Sequence, residues 1–213
     1  MRAVIFDLDG TLVDSLDDIV ASLNATLAAH GLPTHDAAQI NAWIGNGAAA
    51  LVAHAAKAAK DPQALLAAFR DHYAAHCTER TAPYPGVVDL LRALRERAVP
   101  LGVLSNKPHD LTVQVVRECF GEGVFEAVAG ERPPLPRKPD PAGALDIARA
   151  LRVAADACTF VGDTRVDIHT ARAAGMRAIG VTWGMRTRAQ LAKAGADALV
   201  DDVPALSRVL GLD

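Results

Sequence analysis

Aromatic residues are scarce in this chain, with five Phe, two Trp and two Tyr among 213 residues, or 4%. Since 51% of the residues are hydrophobic, the core must be filled by aliphatic and small side chains, with helices packed closely through Ala. Cysteine is sparse as well. Cys77, Cys119 and Cys158 are an odd count with no CxxC or zinc-type spacing, which speaks against a disulfide framework and a zinc site. They read as reduced thiols of a cytoplasmic protein, since no signal peptide precedes Val4. Cys158 opens an apolar run and reads as core. No apolar stretch approaches the roughly 18 residues of a membrane span. The net charge is only −3, so neither nucleic acid nor a membrane surface is an expected partner. Internal repeats and low-complexity tracts are absent.

What the chain does have is short apolar runs that end in polar residues. Ala3-Val4-Ile5-Phe6 runs into Asp7-Leu8-Asp9-Gly10-Thr11, Leu101-Gly102-Val103-Leu104 into Ser105-Asn106, and Thr159-Phe160-Val161-Gly162 into Asp163. Continuous apolar runs bounded by turn residues are the pattern of parallel strands buried on both faces. In such sheets ligands bind beyond the carboxyl ends of the strands. The three polar signals therefore converge on one sheet edge.

The rest of the pattern organises the chain around that sheet. A strand over Ala3–Leu8 is followed by a helix from Ser15, an N-cap with Asp18 three residues on, to Ala29, where Gly31 stops it. The pattern stays helical to about Arg80. Pro83-Tyr84-Pro85-Gly86 reads as a stiff linker. Beyond it strands and helices alternate: helices at Val87–Arg97, His109–Cys119, 141–150, Val166–Ala174 and Val203–Leu210, and strands at Leu101–Leu104, Val124–Ala129, Cys158–Val161 and Ala178–Thr182. Pro141 suits a first helical position. The expected fold is α/β, a Rossmann-like parallel-sheet core (residues 1–13 and 84–213) with an all-helical cap (14–83) inserted after the first strand. The insert leaves the core beside Asp9 and is placed to cover the site.

Electrostatics then narrows the chemistry. Residues two apart in a strand point to the same face, roughly 6–7 Å apart, so Asp7 and Asp9 are neighbours unless the turn rotates one away. With Asp163 and Asp167 arriving from an adjacent strand, several carboxylates share one volume and resist joint ionisation. A divalent cation resolves the conflict, and all-oxygen donors suit Mg²⁺ better than zinc. Lys138 lies in a proline-stiffened loop just before a helix. With Thr11, Ser105 and turn amides it makes a setting suited to a transferring phosphoryl group. Singly, each residue has an ordinary reading as a turn, cap or solvated loop residue. Their order and shared placement are what argue for a site.

At this point the chain resembles the haloacid dehalogenase-like superfamily of hydrolases over essentially its full length. Asp7-Leu8-Asp9-Gly10-Thr11 matches the first motif, Ser105 the second, Lys138 the third, and Gly162-Asp163-Thr164-Arg165-Val166-Asp167 the fourth. The resemblance implies that Asp7 is the nucleophile and forms an aspartyl-phosphate, while Asp9 protonates the leaving oxygen and then deprotonates water. It implies Mg²⁺ held by Asp7, the backbone carbonyl of Asp9, and Asp163, with Asp167 supporting and Lys138 steadying Asp7 and the phosphate. Gly10, Thr11, Ser105 and Asn106 are expected to join Lys138 in binding substrate. Dehalogenases and phosphonoacetaldehyde hydrolases lack a carboxylic acid at the Asp9 position, so Asp9 favours phosphate ester chemistry.

Residues 14–83 look like the helical cap of this superfamily. Trp43-Ile44-Gly45-Asn46-Gly47 and Ser105-Asn106-Lys107-Pro108 are similar to segments of the phosphoglycolate phosphatases. Gly45-Asn46-Gly47 reads either as a plain helix-initiating turn or as a turn whose amides reach a small anion such as a substrate carboxylate. Lacking a preceding strand and a third glycine, it is not a dinucleotide fingerprint. The seven histidines show no metal spacing. Pro133-Pro134-Leu135-Pro136 reads as a stiff loop delivering Lys138 rather than a PxxP ligand, and Trp183 as packing near the last strand. The expected function is a Mg²⁺-dependent phosphatase for a small anionic phosphomonoester, 2-phosphoglycolate first. The alternatives are a phosphatase for sugar phosphates or pyrophosphate, a sugar phosphomutase, and a non-catalytic binding module on the same fold. The expected assembly is a monomer or homodimer.

Overall fold

The run Ala3–Phe6 forms a strand, β1, buried on both faces in the computed structural model, which describes residues 2–57 and 59–212. The chain then makes a short strand, β2 (Val13–Asp14), and four helices, α1 (Leu16–Ala29), α2 (Ala37–Trp43), α3 (Ala48–Ala55) and α4 (Pro62–His76). It returns through β3 (Ala82–Pro83) and continues as α5 (Val87–Glu96), β4 (Leu101–Pro108), α6 (His109–Phe120), β5 (Ala127–Glu131) and α7 (Ala142–Ala150). The last part is β6 (Cys158–Gly162), α8 (Arg165–Ala173), β7 (Arg177–Val181), α9 (Arg188–Ala194), β8 (Ala198–Val200) and α10 (Val203–Val209). Among the described residues no helix is long and apolar enough to cross a membrane.

Six strands form one parallel sheet in the order β5-β4-β1-β6-β7-β8. The chain builds outward from β1 on one side and then crosses to the other, so the order switches at β1. Helices cover both faces. Ala3 and Ile5 face Ile147, Ile168 and Leu191 of α7–α9, whereas Val4 and Phe6 face the layer of Leu94, Val115 and Leu206 from α5, α6 and α10. A strand covered on both faces along its length must therefore be apolar at every position, which is why β1 reads as a continuous run. Each large side chain buried in this way contributes roughly 1.5–3 kcal/mol. Ala144, Ala148 and Ala171 let α7 and α8 sit close to the sheet, in place of aromatic bulk.

The helices α1–α4 lie between β1 and β4, and Leu23, Leu27, Ile40, Leu65 and Phe69 pack their interior continuously with the α5–α6 face. The chain leaves and re-enters this block through an antiparallel pair, Val13 opposite Pro83 and Asp14 opposite Ala82. Segment 14–83 thus carries strand residues at both ends, where the sequence suggests helix and linker alone. Met1, Ala58 and Asp213 of the expected domain ranges lie outside the described residues.

Other departures have local causes. β1 stops at Phe6 rather than Leu8, because the Leu8 carbonyl accepts from Thr11, Leu12 and Val13 and the chain turns there. Ser15 precedes α1 but does not cap it; its hydroxyl donates to Asp9 instead. β4 runs on to Pro108 with a register shift after Leu104. Pro141 sits just before the first helical residue. α9 and β8 have no counterpart among the elements expected from sequence, although Thr187 and Gln190 form a capping box at the start of α9.

Asp18 does different work from the cap partner expected of it. It is buried, and its carboxylate accepts the backbone amides of Arg80 (3.0 Å) and Thr81 (2.9 Å) and the Thr81 hydroxyl (2.8 Å). One acid on α1 thus fixes the return strand beside β2. Asp18→Ala would strand these amides without acceptors, at roughly 1–3 kcal/mol each. We expect a loss of about 3 kcal/mol in urea unfolding. A midpoint equal to wild type would show that the amides find other partners.

Candidate active site

The carboxyl ends of β1, β4 and β6 meet where the strand order switches, and the chain places its polar residues there. Asp7 follows β1, Ser105 lies in β4, and Asp163 follows β6. Asp167 is in the first turn of α8, and Lys138 comes from the loop between β5 and α7. All five are buried. Carboxylate oxygens of Asp7, Asp163 and Asp167 lie within 4.8 Å of one another, and no other His, Cys, Asp or Glu group among the described residues converges in this way.

Among the described residues, the carboxylate oxygens of this cluster other than Asp7 Oδ2 each have a hydrogen-bond or ion-pair neighbour. Lys138 Nζ lies 2.6 Å from Asp167 Oδ1 and 2.8 Å from Asp7 Oδ1. Asp7 Oδ1 also accepts the Leu8 amide at 2.7 Å. Asp163 accepts from Thr11 Oγ1 (3.2 Å) and the Met185 amide (2.7 Å). The other oxygen of Asp167 takes the amide and hydroxyl of Thr164, at 2.9 and 2.6 Å. Two glycines allow the crowding. Gly10 has φ +84°, and a side chain there would run into Asp163; one at Gly162 would run into Asp167.

Charge is unbalanced at this spot. Burial, and then Asp167, push the Asp7 carboxyl well above its usual range, against the pull of Lys138. Burial and Asp167 likewise raise Asp163, to about 7. Burial alone would lower Lys138, but Asp167 and Asp7 outweigh it and keep its ammonium protonated. A dication among all-oxygen donors would relieve this conflict, so the residues present fit one.

Asp9 belongs to a different environment. The turn after Phe6 rotates it away from Asp7, and its Oδ1 accepts from Ser15 Oγ (2.6 Å) and Lys107 Nζ (2.5 Å). Lys107 is buried, with its ammonium 4.9 Å from the centre of the Tyr73 ring. Burial would depress its pKa, but Asp9 holds it above the ordinary lysine value. Lys107 has no role in the sequence reading. The signal available was a lysine two residues beyond Ser105, where a shift in strand register turns its side chain inward.

A cavity of about 70 Å³ opens between this edge and the helices α1–α4, with Asp7, Asp9, Ser105 and Lys138 on one side. Gly45 and Gly47 line it; Asn46 does not. Asn106 acts as a strut, its amide donating to the carbonyls of Gly45 and Lys138, both at 3.0 Å. Arg186 does the same from the loop after β7, donating to the carbonyls of Asn41, Ala42 and Ile44. Nothing in the sequence marked Arg186, because its partners are backbone groups about 145 residues earlier. Trp183 is not mere packing, since its indole donates to the Thr11 carbonyl at 3.1 Å.

Comparison with known proteins agrees with this geometry. Residues 4–181 match the family model described as haloacid dehalogenase-like hydrolase. A phosphoglycolate phosphatase of Rhodospirillum rubrum is 39% identical over 99% of this chain and 91% of its own length. Phosphoglycolate phosphatase 1 of Pseudomonas aeruginosa is 34% identical over 95% of this chain and 77% of its own. A crystal structure from Lactobacillus delbrueckii subsp. bulgaricus superposes with a TM-score of 0.90 at 32% identity, covering 98% of both chains.

Proposed function

We propose, for a chain that belongs to the haloacid dehalogenase-like hydrolase family and is a phosphoric monoester hydrolase, that the substrate is 2-phosphoglycolate and that hydrolysis passes through an aspartyl-phosphate on Asp7. The observation that carries the reading is the separation of two acids: Asp7 beside Lys138, Asp163 and Asp167, and Asp9 apart from them at the wall of the same cavity.

Asp7 Oδ1 is held by Leu8 and Lys138, which leaves Oδ2 to attack phosphorus. As the P–O ester bond breaks, the leaving oxygen takes a proton. Asp9 supplies it through Oδ2, since both of its fixed partners sit on Oδ1. Glycolate departs and Asp7 carries the phosphoryl group. Water then attacks phosphorus, Asp9 takes its proton, and Asp7 is regenerated with release of phosphate. Ser105 accepts the Lys107 amide, so its hydroxyl hydrogen is free for a phosphoryl oxygen. Lys138 binds the phosphoryl group as well as Asp7. Asp7, the Asp9 carbonyl and Asp163 would hold Mg²⁺, which would supply charge neutralisation for the phosphoryl group. Asp167 supports from behind through Lys138.

Segment 14–83 acts in this reading as a cap, and its Gly45-Asn46-Gly47 turn closes the substrate in. The cavity, small and partly open to solvent, suits a compact phosphomonoester. Phosphate release from 2-phosphoglycolate, glucose 6-phosphate, glucose 1-phosphate and pyrophosphate tests the substrate. We expect kcat/KM for 2-phosphoglycolate to exceed the others by at least about 10-fold, a modest margin for a site built around one polar group. Preference for a sugar phosphate, or conversion of glucose 1-phosphate to its isomer without phosphate release, would overturn the assignment.

A further inference from the structure

Three cationic side chains line the cavity, Arg70, Lys107 and Lys138. Lys138 is committed to Asp7 and Asp167, and Lys107 to Asp9. Arg70, on α4, has no hydrogen-bond or ion-pair partner among the described residues. Tyr73 stands one turn further along the same face of α4 and lines the same cavity. It is only 4% exposed, yet its hydroxyl is buried without a hydrogen-bond partner. Its ring is fixed by Phe69, with centroids 5.7 Å apart and planes nearly parallel at 5°, and by the Lys107 ammonium. A buried phenol with no partner is costly unless something else satisfies it. Among the described residues, the unpaired cation lining the cavity is Arg70, three positions earlier on the same helix.

We infer that Arg70 and Tyr73 bind the carboxylate at the far end of the substrate and set a preference for short phosphorylated carboxylates over neutral phosphomonoesters. A planar guanidinium and a phenol O–H are donors suited to a carboxylate. The core side of the cavity meanwhile offers its free donors to the phosphoryl group. The Gly45–Gly47 turn brings no charge, and its Gly45 carbonyl is taken by Asn106. This inference rests on the phosphatase reading above and assigns its specificity to α4.

The test compares 2-phosphoglycolate with 2-hydroxyethyl phosphate, which has the same two-carbon skeleton and an alcohol in place of the carboxylate. Arg70→Gln is expected to cut the ratio of the two kcat/KM values by roughly 10–100-fold, mainly through KM for phosphoglycolate. Tyr73→Phe should cut it by roughly 3–10-fold, and Arg70→Lys should restore much of what Arg70→Gln loses. If wild type prefers phosphoglycolate and Arg70→Gln leaves the ratio intact, the inference fails while the substrate reading stands. If wild type shows no preference between the two compounds, the phosphoglycolate reading fails and takes the inference with it.

Discussion

Asp7→Asn is expected to reduce steady-state phosphate release by about 10⁶-fold, the scale reached when a nucleophile is removed. The amide nearly matches the carboxylate in shape and can still accept the Leu8 amide with its oxygen. The atom left facing the substrate is then a poor nucleophile, and the ammonium of Lys138 loses a negative partner. Folding should not suffer. Burial, Asp167 and Asp163 all disfavour the ionised Asp7, and an acid raised in this way opposes folding above its ordinary pKa. A neutral residue removes that penalty, so the urea midpoint should stay level or rise. Activity above about 1% of wild type, in a preparation free of wild-type enzyme, would be far too much for a mechanism in which Asp7 carries the phosphoryl group.

Exhaustive chelation should stop turnover, and added Mg²⁺ should restore it. Three buried carboxylates share their space with a single ammonium, Lys138, and a substrate phosphoryl group adds further negative charge. A cation that binds only the folded protein also stabilises it, so Mg²⁺ should raise the melting temperature without any substrate present. Asp163→Ala removes a donor and should raise the half-saturating Mg²⁺ concentration at least roughly 10–100-fold, the loss known for even supporting ligands. Undiminished activity after chelation, with no thermal response to Mg²⁺, would mean that Lys138 and Thr11 alone balance the cluster.

Legibility in the sequence followed the range of each interaction. β1 and β6 were readable because a strand covered on both faces must be apolar throughout, as at Ala3–Phe6. The placement of Asp7, Ser105 and Asp163 at one edge followed from the ends of apolar runs, and that of Lys138 from a proline-stiffened loop ahead of a helix, all of them local signals. Asp9 shows the limit. A spacing of two suggests a shared face, yet the turn around the Leu8 carbonyl sends it to Ser15 and Lys107 instead. β8 has three residues, too few for a periodic pattern to emerge. Lys107, Arg186 and Asp18 act on partners 62 to 145 residues away. Their roles depend on tertiary placement, which no local pattern records.

The position of β1 has a further consequence, for the order of events at the ribosome. It is the central strand, yet it is made before either neighbour: Val4 pairs with Leu101, and Ala3 with Cys158. At typical synthesis rates of about 5–20 residues per second, some 150 intervening residues take on the order of 10–30 s to emerge. Until β4 emerges partway through that interval, an apolar segment with strong strand character has no neighbouring strand to join. Helices α1–α4, made early and packed mainly on one another rather than on a sheet strand, can gather first. The residues that end β1 are also those of the proposed reaction centre, so the site cannot assemble until β6 has been added alongside.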